Sequence, residues 1–417
     1  MAAPAFQARE KAPPPPSNIR YNVRVSRYRL TPSPEQESIL LRHCADARYV
    51  WNLYIEQESH WRPGRGRMPG FTERCRQLSQ ARADNPWLAD GSVMVQQQAI
   101  RDHAQAMANF FARTSRLPTW RRAGRAVGFR IVAVRSADVR RLNRRTGEVR
   151  VPKVGWVRFR WSCAVPAGAK SYRVTRDRAG RWHVVFATIP DPIPAPGNGR
   201  VVGIDRGVKV SAALSTGEML TILGLTLSER QRLAQLERKL ARAQRGSNRR
   251  RNVKTAIARM RAREADRRKD WAERLSTDLS RRFDIIRVEY LSIKNMTRSA
   301  RGTVDAPGRN VGQKAGLNRG IQRSGWGLLV RRLQDKAPGR VERVNPAYTS
   351  QRCSACGRVD CKSRESQADF RCTVCGYACN ADVNAARNIA AGHAVTARGG
   401  DRVAGPASRE PQLLASG

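Results

Sequence analysis

Acidic residues are scarce in this sequence. Its 417 residues include 34 Asp and Glu against 79 Lys and Arg, a formal net charge of +45 at pH 7. A chain this basic repels itself unless a polyanion neutralises it, and a merely soluble protein has no need of the excess. Nucleic acid is the expected partner, because each neutralised phosphate releases a counterion. Ribosomal-type or histone-like binders and membrane-surface proteins share the composition. Histidine is also rare: His43, His60, His103, His183 and His393 are the whole set, and none stands in a metal or triad pattern. All five are read as structural. No run of about 18 apolar residues exists, so no membrane-crossing helix is expected. The N-terminus lacks an apolar signal core, so secretion is not expected either. Nine cysteines are too few for a disulfide scaffold at this length, and six of them fall between Cys353 and Cys379. That clustering points to metal in a reducing cytoplasm.

What is present suffices for two to four folded units, with 40% hydrophobic residues to build cores. Residues 1–20 are Pro-rich and without periodicity, and read as a disordered tail. Tyr21, Val23 and Val25 open an alternating strand that runs to Leu30. Ser33, Pro34 and Gln36 then form a capping box, and Ile39, Leu40, His43, Ala47, Val50, Trp51 and Tyr54 recur at helical spacing. A second helix is predicted over 93–111. Strands follow at 149–151, 154–161, 172–174 and 182–186, with a hairpin turn at Asp177–Gly180. Together these suggest a small β-barrel interrupted by helices. The Pro- and Gly-rich segment ending at Arg200 is a linker. The second half opens with a buried strand at Val201–Ile204, continuing through Val208–Leu214. Thr226 and Glu229 pair as a capping box before a very basic helical stretch. Leu233, Leu236 and Leu240 share one face of it, with Val253, Ile257 and Met260 after a break at 246–248. Strands at 285–288 and 341–344 and a helix at 382–391 complete the pattern.

Two acids sit where strands end. Asp205 follows VVGI, and Glu289 follows DIIRV. A lone carboxylate there is expensive unless it binds metal or does chemistry. Asp382 starts the last helix. Three such carboxylates converging on a sheet can hold two Mg²⁺ ions about 3.5–4 Å apart and hydrolyse a phosphodiester. Each acid taken alone reads equally well as a helix cap or a salt-bridge partner. Cys353-x2-Cys356 and Cys372-x2-Cys375, fifteen residues apart, match four-thiolate zinc spacing, each pair in a CxxCG knuckle whose glycine permits the tight turn. Cys361 and Cys379 are spare, and Cys44, Cys75 and Cys163 are isolated.

GIDRG at 203–207, VEYL at 288–291, TSQRCSACG at 349–357, FRCTVCG at 370–376 and NADVNAARNIA at 380–390 occur in the order found in the TnpB proteins of bacterial insertion sequences. YRLTPSPEQ and ARYVWNLYIEQ near the N-terminus resemble the same family, relatives of type V CRISPR effectors. The resemblance spans roughly residues 21–395. It implies a multidomain α+β protein with a wedge β-barrel at 21–30 and 125–190, a helical recognition insert at 31–124, and a linker at 191–200. It further implies a RuvC-like nuclease of the RNase H fold at 201–348 and 380–395, a zinc finger at 349–379, and a disordered tail at 396–417. Asp205, Glu289 and Asp382 match the three RuvC acids, which implies an RNA-guided DNA endonuclease with two catalytic Mg²⁺ and one structural Zn²⁺. Guide RNA and double-stranded target DNA are its implied partners, in the cytoplasm and at the nucleoid, with the protein a monomer or a homodimer. Base pairing then reads sequence while Arg and Lys grip the heteroduplex backbone. Trp51, Tyr54, Trp120 and Phe129 read either as base-stacking rings or as wedge core. The sequence departs from the family in carrying Asn380 where D-x-D is common, and Tyr290 where Asp or Asn often follows the second acid. A small type V CRISPR effector, a guided DNA-binding repressor and a strand-transfer transposase are the competing readings.

Overall fold

Residues 24–60, 68–124, 127–188, 191–303 and 306–392 are described by the computed structural model. The expected tails at 1–20 and 396–417, together with Tyr21, Val23 and His393, lie outside them. Two compact units are present: the described residues up to Asp191 with Leu225–Glu264, and Pro192–Gly224 with the described residues from Ala265 onward.

The first unit begins with strand β1 (Arg24–Arg29) and helix α1 (Pro34–His60). The expected capping box is in place: the Gln36 backbone N–H donates to Ser33 Oγ at 3.3 Å, and the Ser33 N–H to Gln36 Oε1 at 3.1 Å. Helices α2 (Phe71–Asp84), α3 (Pro86–Ala89) and α4 (Val93–Phe111) follow. Helix α2 was missed in the sequence because only Arg74 and Leu78 are buried along it, too few for an apolar period. Strands β2 (Gly128–Val132), β3 (Val139–Arg141), β4 (Thr146–Val151), β5 (Gly155–Arg160), β6 (Ser171–Arg176) and β7 (Trp182–Thr188) form two antiparallel sheets, β1-β7-β6-β2 and β3-β4-β5. An isolated bridge between Leu30 and Phe159 links them. One core, including Tyr28, Val50, Tyr54, Phe129, Phe159 and Phe186, joins sheets and helices, and each such side chain contributes about 1.5–3 kcal/mol by leaving water. Trp51, Tyr54 and Phe129 are therefore core residues, buried out of reach of any base, while Trp120 is exposed. Helix α5 (Leu227–Arg242) carries the predicted Thr226–Glu229 capping box, and Leu233, Ile257 and Met260 pack between it and helix α6 (Asn248–Arg282).

The second unit centres on strands β8 (Val201–Asp205), β9 (Ala212–Leu214), β10 (Met219–Leu220), β11 (Ile285–Glu289) and, beyond helices α7 (Ile293–Met296), α8 (Val311–Arg323) and α9 (Trp326–Lys336), β12 (Val341–Val344). Their order is β10-β9-β8-β11-β12. β8, β11 and β12 are parallel, while β9 runs antiparallel to β8 and β10 to β9. The expected continuation of the first strand through Val208 does not occur. The chain turns back after Asp205, Gly207 lies too close to the Val210 carbonyl for a side chain, and Val208 is exposed. The linker is held to this unit, since Asp284 accepts from the Gly197 and Gly199 N–H groups and Ile193 N–H donates to the Lys336 carbonyl. A small hairpin, β13 (Asp369–Arg371) and β14 (Ala378–Asn380), runs directly into helix α10 (Ala381–Ala391).

Candidate active site and four-cysteine centre

Side chains alternate between the two faces of a strand, and that alternation places the acids. Val202 and Ile204 of β8, with Ile286 and Val288 of β11, bury against Leu275, Leu279, Leu329 and Leu333 of helices α6 and α9. Gly203, Asp205, Arg287 and Glu289 therefore face the opposite side, where α10 lies. Arg287 donates from Nη1 to the Ala390 carbonyl at 2.6 Å, tying β11 to that helix. Gly203 is what lets α10 approach β8, since a Cβ there would lie 2.0 Å from the Ala386 carbonyl oxygen. Register pairs Ile204 with Val288, so Asp205 and Glu289 are the next residues along two neighbouring parallel strands. Asp382 sits in the first turn of α10. Asn380, the residue that departs from D-x-D, caps the helix by accepting from the Asp382 and Val383 N–H groups at 2.9 and 3.3 Å.

The structure thus brings Asp205, Glu289 and Asp382 into one electrostatic neighbourhood. Burial, then the charges of Glu289 and Asp382, push the Asp205 carboxyl up to about 7. Burial raises Glu289 and Asp382 as well. Three side chains that sequence reasoning had passed over oppose this. Thr349 Oγ1 donates to Glu289 Oε1 at 2.7 Å. The buried Arg206 donates to the Glu289 backbone carbonyl, and its charge lowers the Glu289 carboxyl. Arg364 lies 3.8 Å from Asp382 Oδ1 and lowers all three acids. Arg206 and Thr349 were visible in GIDRG and TSQRCSACG as neighbours of the recognised residues. Arg364 stands in the spacer between the cysteine pairs, where one sequence gives no signal.

The four cysteines have ligand atoms all within 4.8 Å of one another. Cys353 Sγ is 3.7 Å from Cys375 Sγ, and Cys356 Sγ is 3.6 Å from Cys372 Sγ. Sulfurs bound tetrahedrally at about 2.3 Å to one zinc ion lie about 3.8 Å apart, so the donors fit. Gly357 and Gly376 take left-handed φ values of 76° and 69°, as the knuckle turns require. Backbone N–H groups of Cys375 and Val374 lower the Cys372 thiol, favouring a thiolate there, while burial and the neighbouring sulfurs raise Cys375. Helix α10 is fastened to this centre. Asn384 accepts from the Ser354 N–H and donates to the Arg352 carbonyl, and Asn388 donates to the Thr349 and Arg352 carbonyls.

Family profiles match three stretches of the chain: a helix-turn-helix domain at residues 24–67, one described as "Probable transposase" at 183–300, and a Cas12f1-like TNB domain at 326–389. A relative from Escherichia coli K12, "Putative RNA-guided DNA endonuclease InsQ", is 34% identical over 384 residues, covering 89% of this chain and 93% of its own. The chain belongs to the TnpB family. A second relative, "Putative RNA-guided DNA endonuclease" from Streptomyces pristinaespiralis, is 32% identical and covers 90% of this chain and 91% of its own. The TnpB fold seen here is shared with Cas12f1 from a Cas12f1–sgRNA–target DNA complex, at a TM-score of 0.50, 14% identity, and 86% and 83% coverage of the two chains. Among the described residues no helix is long and apolar enough to cross a membrane.

Proposed function

We propose that this chain is an RNA-guided DNA endonuclease of an insertion sequence, hydrolysing phosphodiester bonds at Asp205, Glu289 and Asp382. The observation that carries this reading is the convergence of three half-buried acids from distant segments, Asp205 and Glu289 at the tips of adjacent parallel strands and Asp382 in the first turn of the helix packed against them, with burial and the other two charges raising the Asp205 carboxyl. Carboxylates so placed call for a cation, and an all-oxygen donor set suits Mg²⁺. Two bound Mg²⁺ ions would supply an activated water and neutralise the leaving oxygen. The chain's own groups prepare the site. Strand tips fix Asp205 and Glu289, and the N-terminus of α10 fixes Asp382. Thr349 donates to one Glu289 oxygen and so orients the carboxylate that would help hold the metal. Arg206 holds the Glu289 main chain, and Arg364 offers positive charge to an incoming phosphate.

The strand order supports a RuvC-like, RNase H-type assignment for 201–348 and 380–395: a β8-β9-β10 antiparallel meander extended by two parallel strands. The same reading assigns the cysteine centre at 349–379 to structural zinc. It assigns the two-sheet region at 21–30 and 125–190 to a wedge barrel, and 31–124 to a recognition insert. Guide RNA and duplex target DNA are the partners that the net charge of +45 fits.

The test is a plasmid-cleavage assay with RNA that copurifies with the protein. Asp205→Ala should abolish cutting and leave RNA and DNA binding nearly intact. Undiminished cutting by that variant overturns the assignment.

A further inference from the structure

One cavity of the first unit takes no part in the acid site or the cysteine centre. Its volume is about 370 Å³, in the range of small-ligand pockets, and its lining includes Arg42, Asp46, Arg48, Tyr49, Trp87 and Asp90. Arg42, Asp46 and Tyr49 stand four and three residues apart along α1, so they share one face of that helix. Trp87 comes from α3, and Asp90 is the residue that ends it. The Tyr49 and Trp87 ring centroids lie 5.0 Å apart with their planes at 86°, so the two rings make a right-angled corner. They are 44% and 49% exposed, and aromatic surface left open in a cavity is a marker of binding.

The corner is built before anything enters it. Arg82 donates to the Leu88 and Ala89 carbonyls, each at 2.8 Å, and so fixes the short helix that carries Trp87. Lys153 Nζ donates to the Asp90 carbonyl at 2.8 Å. A Cβ at Gly91 would collide with the Asp46 carboxylate, so the absence of a side chain lets the end of α3 close on α1. A preformed cavity orders little on binding. Its charges are unspent. Among the described residues the Arg42 and Arg48 side chains form no ion pair or hydrogen bond, nor does the Asp90 carboxylate. Asp46 is buried, and its Oδ2 has no hydrogen-bond partner among the described residues.

We propose that this cavity takes one unpaired guanine nucleotide of the guide RNA, its base in the Tyr49–Trp87 corner, its N1–H and N2–H donors toward Asp90, and its phosphates on Arg42 and Arg48. This rests on the guided reading above. Aromatic rings stack on any base, and arginine grips phosphate. A base inside a duplex is covered on both faces and paired at its edge, so the occupant is unpaired, as bases are in the loops and bulges of folded RNA. An ionised carboxylate only accepts hydrogen bonds, so the edge turned to Asp90 must donate. Guanine carries two adjacent donors on its pairing edge. Adenine, cytosine and uracil each place an acceptor beside their donor, which the carboxylate repels. The cavity therefore recognises one position of the RNA that the chain carries, away from the segment that pairs with target DNA.

The experiment uses the full chain purified with its guide RNA and a ribonuclease that cuts only after unpaired guanine. One guanine that is cut in the free RNA should be protected in the wild-type complex. Trp87→Ala should expose it and leave the rest of the pattern alone, and Trp87→Phe should keep it protected. Changing that guanine to adenine should weaken RNA binding by the wild type about tenfold, and by Trp87→Ala hardly at all. If no guanine depends on Trp87 for protection, or if the adenine costs both proteins equally, the proposal is overturned. An unchanged pattern with weakened target-DNA binding by Trp87→Ala would put a DNA nucleotide in the cavity, and overturns the RNA assignment. If Trp87→Ala does not hold RNA, Asp90→Asn decides. It should bind the guanine and adenine RNAs alike, and a preference as large as the wild type's overturns the proposal. A chain that purifies without RNA sinks the guided reading and this one together. Failure of the nuclease assignment looks different: Asp205→Ala then cuts as fast as the wild type, with the protected guanine still in place.

Discussion

At the scale of single residues, the acid site is a place where charge is held against its own preference. Asp205 ionises near 3.9 in an unfolded chain and near 7 in the folded one. The folded state therefore keeps its proton more tightly, and this group's contribution to stability falls as pH rises from about 4 to about 7. In magnesium-free buffer Asp205→Asn should melt at a higher temperature than the wild type, by a margin that grows between pH 5 and pH 8. A margin that does not change with pH in paired melting curves contradicts this origin. Thr349 acts with the opposite sign, because its hydrogen bond lowers the Glu289 carboxyl. Thr349→Val should move the acidic limb of the cleavage pH profile upward, since Glu289 then keeps its proton to higher pH. A profile that only drops in height, with its limb in place, would show a different role for Thr349.

At the scale of elements, close approach and capping set the tolerances. In Gly203→Ala the added methyl would lie 2.0 Å from the Ala386 carbonyl oxygen and 2.4 Å from the Ala390 nitrogen. Backbone cannot yield as a side chain does, so the second unit should lose about 3 kcal/mol, near the upper end for overpacking. Cleavage should fall with it as α10 is pushed away. Thr226→Ala removes one half of a capping box in the other compact unit and should destabilise helix α5 by about 1 kcal/mol, leaving kcat unaltered. Chemical denaturation of the two variants checks both. These elements also show what the sequence disclosed. Capping boxes at Ser33 and Thr226, the strand over 285–288 and the α4 helix were legible because local pattern and tertiary packing agree there. Helix α2 was not, since its face is largely polar. The turn after Asp205 was hidden in an apolar run, because spacing alone does not show where a strand reverses. The acids themselves stood out as charges after apolar strands, whereas Arg364 reaches Asp382 only through tertiary folding.

At the scale of the whole molecule, positive charge dominates. A surface built to contact many phosphates loses binding steeply with salt, by about 10³-fold or more between about 50 and 200 mM. Filter binding of guide RNA across that range should show it, and a flat dependence would argue against a phosphate-driven interface. Asn384 and Asn388 join α10, the helix that bears Asp382, to the main chain around the cysteine centre. Under the metal assignments proposed above, loss of zinc from the cysteines and loss of magnesium from the acids should therefore leave different scars. A brief chelator treatment should silence the nuclease in a way that fresh magnesium reverses within seconds. A long one should strip the thiolates, let α10 drift, and leave a remainder that magnesium alone never revives.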